Sequence, residues 1–269
     1  MTYRLIALDV DGTLLTDDHQ LTELTKGTIR RVYEQGCGVV LCTGRSPVST
    51  LPVMEKLGLS GTLICHNGAA TIASADRSVL HEFAYDVKKI EPLISYCREH
   101  GIHFDVNTSF EMYVENLTPE ANSMYEQFYI QPKVVDNVLD LDFPIVKFTC
   151  AAPKEEMDRI EKEWALLSTE LRIIRSGDIF IDVMHAQAHK GSALKALTEV
   201  LGVRQEEVVA MGNYYNDIEM LTFAGLGIAM ENSPEAVKLA ADAVTASNNE
   251  DGVHQAIERY VSTDQKQNL

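Results

Sequence analysis

Three short apolar runs near the N-terminus each lead directly into a polar turn, and this pattern restricts the possible folds more than any other feature. The runs occupy residues 5–8, 37–42 and 62–65, and the first continues into Asp9-Val10-Asp11-Gly12-Thr13. Helical patterns separate the runs, so the segment is predicted as β-α-β-α-β. Unbroken apolar runs are typical of strands buried on both faces, which form parallel sheets with right-handed crossovers. The sequence therefore predicts an α/β fold built on a parallel-sheet core.

The pattern changes between residues 83 and 186. Helices are predicted to alternate there with strand hairpins, in the order helix 88–99, hairpin 102–115, helix 119–129, strand 145–151, helix 154–168 and hairpin 171–184. Residues 131–144 show no clear pattern and are predicted as loop. Helices interleaved with hairpins favour an antiparallel sheet with helices on one face. Since the β-α alternation resumes at Lys190, we predict a discontinuous core of residues 1–82 and 187–269, interrupted by an inserted α+β domain of residues 83–186.

Composition and charge exclude several classes of partner. The formal net charge of −17 makes nucleic acid and anionic membranes poor partners for this chain. No apolar run approaches the roughly 18 residues of a membrane span, and Asp9 and Asp11 interrupt any signal-peptide pattern. Five cysteines without paired spacing favour a reducing compartment over a disulfide framework. We therefore expect a cytoplasmic protein that binds neither nucleic acid nor membrane.

Asp9 and Asp11 are the first candidates for chemistry, because open α/β sheets bind ligands at the carboxyl ends of their strands. Paired carboxylates at such a position could bind Mg²⁺, attack phosphorus, or transfer a proton to and from a reacting oxygen. An ordinary Asx-rich turn is the alternative for these two residues taken alone.

Further polar residues follow other predicted strands or begin helices. Thr43 and the Gly44 amide could hold phosphate oxygens, and Lys190 stands at a helix start. The last group follows the strand near residue 210 and comprises Asn213, Asn216 and Asp217. Each has an ordinary alternative as a turn, a solvated lysine or a helix cap. The chain lacks a Walker loop, a Gly-x-Ser-x-Gly elbow and a Rossmann glycine fingerprint, which disfavours NTPase, serine hydrolase and dehydrogenase functions.

Taken together, these groups resemble the four motifs of the haloacid dehalogenase superfamily. The matching residues are Asp9-Val10-Asp11-Gly12-Thr13, Thr43-Gly44-Arg45, Lys190-Gly191, and Gly212 followed by Asn216-Asp217. The segments 66–69, 227–233 and 249–253 are similar to further signatures of its Cof-type phosphatases, which carry a large C2-type cap. The resemblance covers both core segments and implies a Rossmann-like core with the insertion as the cap domain.

The resemblance also implies roles for the matching residues. Asp9 would be the nucleophile that forms an aspartyl-phosphate, and Asp11 the general acid and base. Thr43, the Gly44 amide and the Val10 amide would hold the transferring phosphoryl group. The remaining assignments are Lys190 and Asn216 on the phosphate, Asp9 and the Asp11 carbonyl on Mg²⁺, and Arg45 and Asn67 facing the substrate. The implied activity is a Mg²⁺-dependent phosphatase of small phosphorylated metabolites, with sugar phosphates as the leading class.

One residue departs from the family pattern. The family has Gly-Asp at the start of the fourth motif, whereas this chain has Gly212-Asn213, so a metal-binding carboxylate is replaced by a neutral amide. We therefore predict weaker Mg²⁺ binding, with Asn213 as a ligand and Asp217 as partial compensation. Two alternatives stay open: a phosphate-binding or regulatory protein with impaired turnover, and a phosphomutase. The sequence does not predict the oligomeric state.

Overall fold

The computed structural model describes residues 3–127, 130–167 and 169–262, and its N-terminal segment has the predicted alternation. The elements in chain order are β1 (Leu5–Asp9), α1 (Glu23–Glu34), β2 (Gly38–Cys42), α2 (Pro47–Leu57), β3 (Thr62–Cys65), β4 (Ala70–Ala73) and β5 (Val79–Glu82). Local residues define these ends: α2 has Pro47 in its first turn and ends at Gly58, whose φ of 71° is left-handed.

The inserted segment contains helices and strands at most of the predicted positions. They are α3 (Glu91–His100), β6 (His103–Asn107), β7 (Met112–Val114), α4 (Pro119–Gln127), β8 (Lys133–Val134), β9 (Lys147–Ala151), α5 (Lys154–Trp164), β10 (Leu171–Gly177) and β11 (Phe180–His185). The prediction of loop over 131–144 was wrong at β8 and at a 3₁₀ turn over Val138–Asp140. The predicted ends of two helices include residues 128, 129 and 168, which lie outside the described residues.

The C-terminal segment returns to the α/β alternation. Its elements are α6 (Lys190–Leu201), β12 (Val208–Gly212), α7 (Ile218–Phe223), β13 (Leu226–Ala229), α8 (Glu235–Ala240), β14 (Ala243–Val244) and α9 (Gly252–Ala256). Contacts divide the chain into two compact units, Met1–His81 with His189–Leu269 and Glu82–Ala188. We call the first the core unit and the second the inserted unit. That the inserted unit acts as a cap stays a prediction.

The core unit is an α/β fold around one sheet with strand order β14-β13-β12-β1-β2-β3-β4-β5. The strands from β14 to β3 are parallel. β1 lies between β12 and β2, and all five of its residues are buried. The sequence did not predict β4 or β5, and β4 pairs antiparallel with β3. The sheet is therefore mixed at that edge, where Ala70–Ala73 is too short and too weakly patterned to be recognised.

The inserted unit has its own sheet, with strand order β10-β11-β9-β6-β7-β8. Alternate residues of its central strands, such as Phe104 and Phe148, pack with side chains of α3 and α5, among them Trp164. The sheet is antiparallel except where β7 and β8 pair in parallel, so the prediction of a wholly antiparallel sheet was wrong there. Among the described residues, no helix is both long and apolar enough to span a membrane.

A buried polar row crosses the other side of this sheet. Asp105, Thr149 and Asp182 lie opposite one another in register on β6, β9 and β11. Asp105 accepts hydrogen bonds from Asn107 at 2.5 Å and from the Tyr125 hydroxyl at 3.0 Å. Burial raises the pKa of Asp105 to about 6, although the positive charge of Lys147 and the hydrogen bonds of Asp105 oppose the shift. The ionised form of Asp105 is therefore unfavourable in the folded protein.

We predict that Asp105→Asn removes a pH-dependent loss of stability from the inserted unit. The pKa of Asp105 is about 6 when folded against an ordinary 3.8, so its contribution to stability is lost as the pH rises from about 4 to about 6. Relative to the parent, the variant should gain about 2–3 kcal/mol in free energy of unfolding between pH 4 and pH 7. Trp164, the only tryptophan in the chain, lies in α5 and reports this unit by fluorescence in urea titrations. A difference in free energy of unfolding between the two proteins that stays the same at every pH would contradict the prediction.

Candidate active site

The strand order of the core sheet brings the predicted site residues to one edge. Asp9 ends β1, Thr43 follows β2, and Asn213 follows β12. Because these parallel strands are neighbours, their carboxyl ends open at the same edge of the sheet. Lys190 starts α6, where His189 caps the helix by accepting from the Ser192 amide at 3.1 Å.

Asp9, Lys190 and Asp217 form a buried charged cluster. The Lys190 ammonium donates to Asp9 Oδ1 at 2.7 Å and to Asp217 Oδ1 at 2.6 Å. The side chains of Lys190 and Asp217 are inaccessible to solvent, and that of Asp9 is only 8 % exposed. The single positive charge of Lys190 therefore offsets part of the negative charge of two carboxylates that are buried away from water.

The electrostatics of the cluster centre on Asp9. Burial raises the pKa of Asp9 to about 7, the negative charge of Asp217 adds to the shift, and Lys190 opposes it. For Lys190, burial lowers the pKa, but Asp217 and Asp9 outweigh it, so the net pKa is well above the ordinary value. Lys190 is therefore a permanent cation beside an Asp9 whose charge is easily neutralised by a bound positive ligand or a proton.

The contacts of Asp217 require a correction to the predicted metal ligands. One of its oxygens accepts from Lys190, and the other accepts from the backbone amides of Asn213 and Tyr214 at 2.9 and 3.0 Å. Three hydrogen bonds already orient this carboxylate. We conclude that Asp217 supports Lys190 and the turn after β12, and we do not retain it as a metal ligand.

Asn213 lies against the oxygens that the resemblance assigns to Mg²⁺. One terminal atom of its amide is 3.0 Å from both Asp9 Oδ2 and the Asp11 carbonyl oxygen. When this atom is nitrogen it donates to both oxygens, and when it is oxygen it accepts from the Thr13 hydroxyl at 3.2 Å. Mg²⁺ binds oxygens octahedrally at about 2.0–2.1 Å, which places neighbouring ligand oxygens about 2.9 Å apart. Both distances from the Asn213 atom match this spacing, so the amide, when it presents its oxygen, fits beside each of the other two oxygens on one Mg²⁺ ion.

The charge of this donor set is low for a magnesium site. Within the part of the chain that the structure describes, no group of three or more His, Cys, Asp or Glu side chains could hold a metal ion. A cation beside Asn213 would meet one carboxylate, a backbone carbonyl and an amide oxygen. Since carboxylate charge strengthens binding of hard cations, this set predicts weaker affinity than one with aspartate at position 213.

A second group of polar residues surrounds the turn after β3. Asn216 donates through its side-chain amide to Asn67 Oδ1 at 3.0 Å, and Asn67 also lies close to the Gly44 backbone. His66 and Asn67 have φ values of 50° and 53°, in the left-handed region that residues other than glycine rarely adopt. Such strain is typical of functional turns. Thr43, buried beside this turn, accepts from the Arg45 amide at 3.1 Å.

Asp11 and Arg45 form a contact that the sequence did not predict. The Arg45 guanidinium donates to both oxygens of Asp11, at 2.8 and 2.5 Å, and His19 lies 3.6 Å from the same carboxylate. The prediction that Arg45 faces the substrate is therefore not supported by its position here. The Asp11 side chain is 44 % exposed, so its carboxylate is accessible to a second partner besides Arg45.

The geometry agrees with comparisons to known proteins. A family model described as haloacid dehalogenase-like hydrolase matches residues 6–257. A 5-amino-6-(5-phospho-D-ribitylamino)uracil phosphatase of Bacillus subtilis is 31 % identical over 96 % of each chain. The pyridoxal phosphate phosphatase of Escherichia coli is 30 % identical over 96 % of this chain and 98 % of its own.

Solved structures give the same result. A haloacid dehalogenase-like hydrolase from Bacteroides thetaiotaomicron has a TM-score of 0.85 and 30 % identity, covering 96 % of this chain and 99 % of that one. The family model spans all the motif residues from Asp9 to Asp217. The resemblance drawn from the motifs is thereby confirmed, and the protein belongs to the haloacid dehalogenase-like hydrolase family.

Proposed function

We propose that this protein is a Mg²⁺-dependent phosphatase that hydrolyses small phosphorylated metabolites through an aspartyl-phosphate. The observation that carries the proposal is that the two oxygens of the Asp9 carboxylate have different partners. One of its oxygens is held by Lys190, while the other faces the Asn213 amide, which also contacts the Asp11 carbonyl. A buried carboxylate with a fixed cation on one side and a cation-binding face on the other suits attack on a phosphate dianion.

The proposed reaction has two halves. An Asp9 oxygen attacks phosphorus, the ester P–O bond breaks, and the leaving oxygen takes a proton from Asp11. Asp11 then takes a proton from water, whose oxygen attacks phosphorus and releases Asp9 as a carboxylate. To reach the leaving oxygen, the Asp11 carboxyl has to exchange its Arg45 partner.

Other residues would bind the phosphoryl group without entering the covalent chemistry. Lys190 would offset charge on Asp9 and the phosphate, and Thr43, the Gly44 and Val10 amides and Asn216 would donate to phosphoryl oxygens. Mg²⁺, held by Asp9, the Asp11 carbonyl and Asn213, would supply further positive charge when bound. Asn67, through its contact with Asn216, would help to orient this group and face the substrate.

The substrate class is proposed from chemistry and from relatives. Two relatives are named as phosphatases of a phosphorylated ribitylaminouracil and of pyridoxal phosphate, both small polar phosphomonoesters. We propose the same general class here, and sugar phosphates stay a prediction within it. The net charge of −17 is consistent with a small substrate that local positive groups select.

The first experiment measures phosphate release from an aryl phosphate and a panel of phosphometabolites, with and without Mg²⁺. We predict Mg²⁺-dependent release by the wild type. Because Asn213→Asp adds a carboxylate beside Asp9 Oδ2, it should lower the Mg²⁺ concentration for half-saturation by at least about tenfold. Calorimetric titration of Mg²⁺ into the resting protein checks the affinity independently of turnover.

The alternative is a phosphate-binding or regulatory protein with impaired turnover, which the neutral Asn213 amide specifically favours. No release by the wild type in excess Mg²⁺, with release gained in Asn213→Asp, would establish that alternative. Binding of inorganic phosphate without any turnover by either protein would also contradict our proposal.

A further inference from the structure

The loop after the nucleophile strand depends on other segments for its conformation. We call residues 12–20 the nucleophile loop. All nine of these residues are described, and they form neither a helix nor a strand. The loop begins with Gly12 at a φ of 75°, where an added Cβ would lie 2.4 Å from Asn213 Nδ2. Gly12 is therefore packed tightly against Asn213, and because it directly follows Asp11, a shift of its backbone would move the Asp11 carboxyl.

Two asparagines from the C-terminal part of the core unit bind the backbone of this loop. Asn232 Nδ2 donates to the Gly12 carbonyl at 2.8 Å. Asn248 Nδ2 donates to the Leu15 carbonyl and to Asp17 Oδ1, both at 3.0 Å. Both hydrogens of the Asn248 amide thus reach the loop, and this side chain is buried. Carbonyl oxygens of an irregular segment are thereby satisfied by side chains, as they must be in a packed site.

Further contacts join these asparagines into one unit, which we call the asparagine clamp (Asn232, Asn248 and Asn249). The Asn248 backbone amide donates to Asn232 Oδ1 at 3.2 Å. Asn249 Nδ2 donates to Asp17 Oδ2 at 2.8 Å, and its Oδ1 accepts from the Asp17 amide at 3.1 Å. The clamp therefore binds the nucleophile loop at Gly12, Leu15 and Asp17.

The clamp accounts for two sequence segments that the catalytic cluster does not explain. Residues 227–233 contain Asn232, and residues 249–253 contain Asn249 and the turn that follows it. In that turn Gly252 is needed, because an added Cβ would lie 2.0 Å from the Ala246 carbonyl oxygen. Asp251 accepts hydrogen bonds from the hydroxyls of Thr22 and Thr25 at the start of α1. Both segments therefore tie the C-terminal part of the chain to the region after β1.

We propose that Asn232 and Asn248 are positioning residues for Asp11. Asn232 holds the Gly12 carbonyl and Asn248 holds the loop at Leu15 and Asp17, so that the Asp11 carboxyl can protonate the leaving oxygen. This proposal rests on the proposed function, in which Asp11 is the general acid. Of the proposed phosphate-binding groups, only the Val10 amide lies beside this loop, whereas Thr43, Lys190 and Asn216 belong to other segments of the core unit. Loss of the clamp should therefore weaken protonation of the leaving group and leave binding of phosphate unchanged.

Two aryl phosphates distinguish a loss of leaving-group protonation from a loss of phosphate binding. Phenyl phosphate releases a phenol with a pKa of about 10, whereas p-nitrophenyl phosphate releases a much more acidic phenol that leaves with little help from an acid. The variants are Asn232→Ala, which removes an exposed side chain, and Glu231→Ala as the control. Glu231 is the adjacent residue, and its carboxylate pairs with Lys238. The measurements are kcat/KM for each ester in saturating Mg²⁺, and the inhibition constant of inorganic phosphate.

We expect kcat/KM of Asn232→Ala to fall at least about tenfold with phenyl phosphate and less than about threefold with p-nitrophenyl phosphate. The inhibition constant of phosphate should stay within about twofold, and Glu231→Ala should match the wild type with both esters. An equal loss on both esters, or none, would overturn the clamp proposal while leaving the proposed function intact. If the wild type releases phosphate from neither ester and from no member of the phosphometabolite panel, the proposed function fails and the clamp proposal fails with it. Asn248→Ala should show the same selective loss where it folds.

Discussion

Asp9→Asn is expected to lower phosphate release by at least about 10³-fold while leaving the protein folded. The amide keeps the shape of the carboxylate but cannot attack phosphorus, so the covalent route is lost. Folding should not suffer, because burial already raises the pKa of Asp9 to about 7 and a neutral side chain suits this position. Lys190 keeps Asp217 as its ionic partner. Steady-state phosphate release and the thermal unfolding midpoint, measured on the same preparation, check both parts of the prediction.

The matched control is Asp18→Asn, the same change of carboxylate to amide on an exposed residue of the nucleophile loop. It should leave kcat/KM within about twofold of the wild type. Substantial activity in Asp9→Asn would show that Asp9 is not the nucleophile. A large fall in the unfolding midpoint of that variant would mean instead that the ionised carboxylate stabilises the cluster.

Lys190→Met is expected to destabilise the core unit by about 3–5 kcal/mol at neutral pH. The methionine fills a similar volume but leaves the buried carboxylates of Asp9 and Asp217 without their shared cation. Without Lys190, burial and the negative charge of Asp217 raise the pKa of Asp9 unopposed. The folded variant then takes up protons that the unfolded chain does not. Its stability deficit should therefore shrink as the pH falls and grow as the pH rises.

Urea titrations followed by far-ultraviolet circular dichroism at several pH values measure this deficit, because the only tryptophan lies in the inserted unit. Lys195→Met, on an exposed position of the same helix, is the control and should change stability by less than about 0.5 kcal/mol. Adding Asp217→Asn to Lys190→Met should recover part of the loss, since it removes one of the two carboxylates. A deficit that is small and independent of pH would contradict the assignment of Lys190 as the neutralising cation.

Local sequence patterns predicted much of the fold because they act over a few residues. The run before Asp9, with Pro47 and Gly58 around α2, marks strand and helix ends through burial and backbone preference. β4 was missed because it is only four residues long and has alanine, a weak strand former, at both ends. Its pairing with β3 stabilises it, and that pairing is a tertiary contact.

The candidate site could be predicted as a group but not as a set of contacts. A parallel sheet places residues after neighbouring strands at one edge, so Asp9, Thr43 and Asn213 were expected together. Arg45 was predicted to face substrate, and its pairing with Asp11 depends on the turn after β2 approaching the turn after β1. Asp217 was predicted as a metal ligand, and only the tertiary structure shows that it accepts a hydrogen bond from Lys190.

The sequence by itself determined most of the strands, the carboxylates and amides that follow the central ones, and the lysine that begins a helix. Only the tertiary structure decided which atoms face one another. Asp9 and Lys190 are separated by 181 residues, and Gly12 and Asn232 by 220. No local periodicity encodes such pairings, because they depend on the order of strands in the sheet and on packing of loops at its edge. As a result of that packing, one oxygen of Asp9 accepts a hydrogen bond from Lys190 and the other faces Asn213.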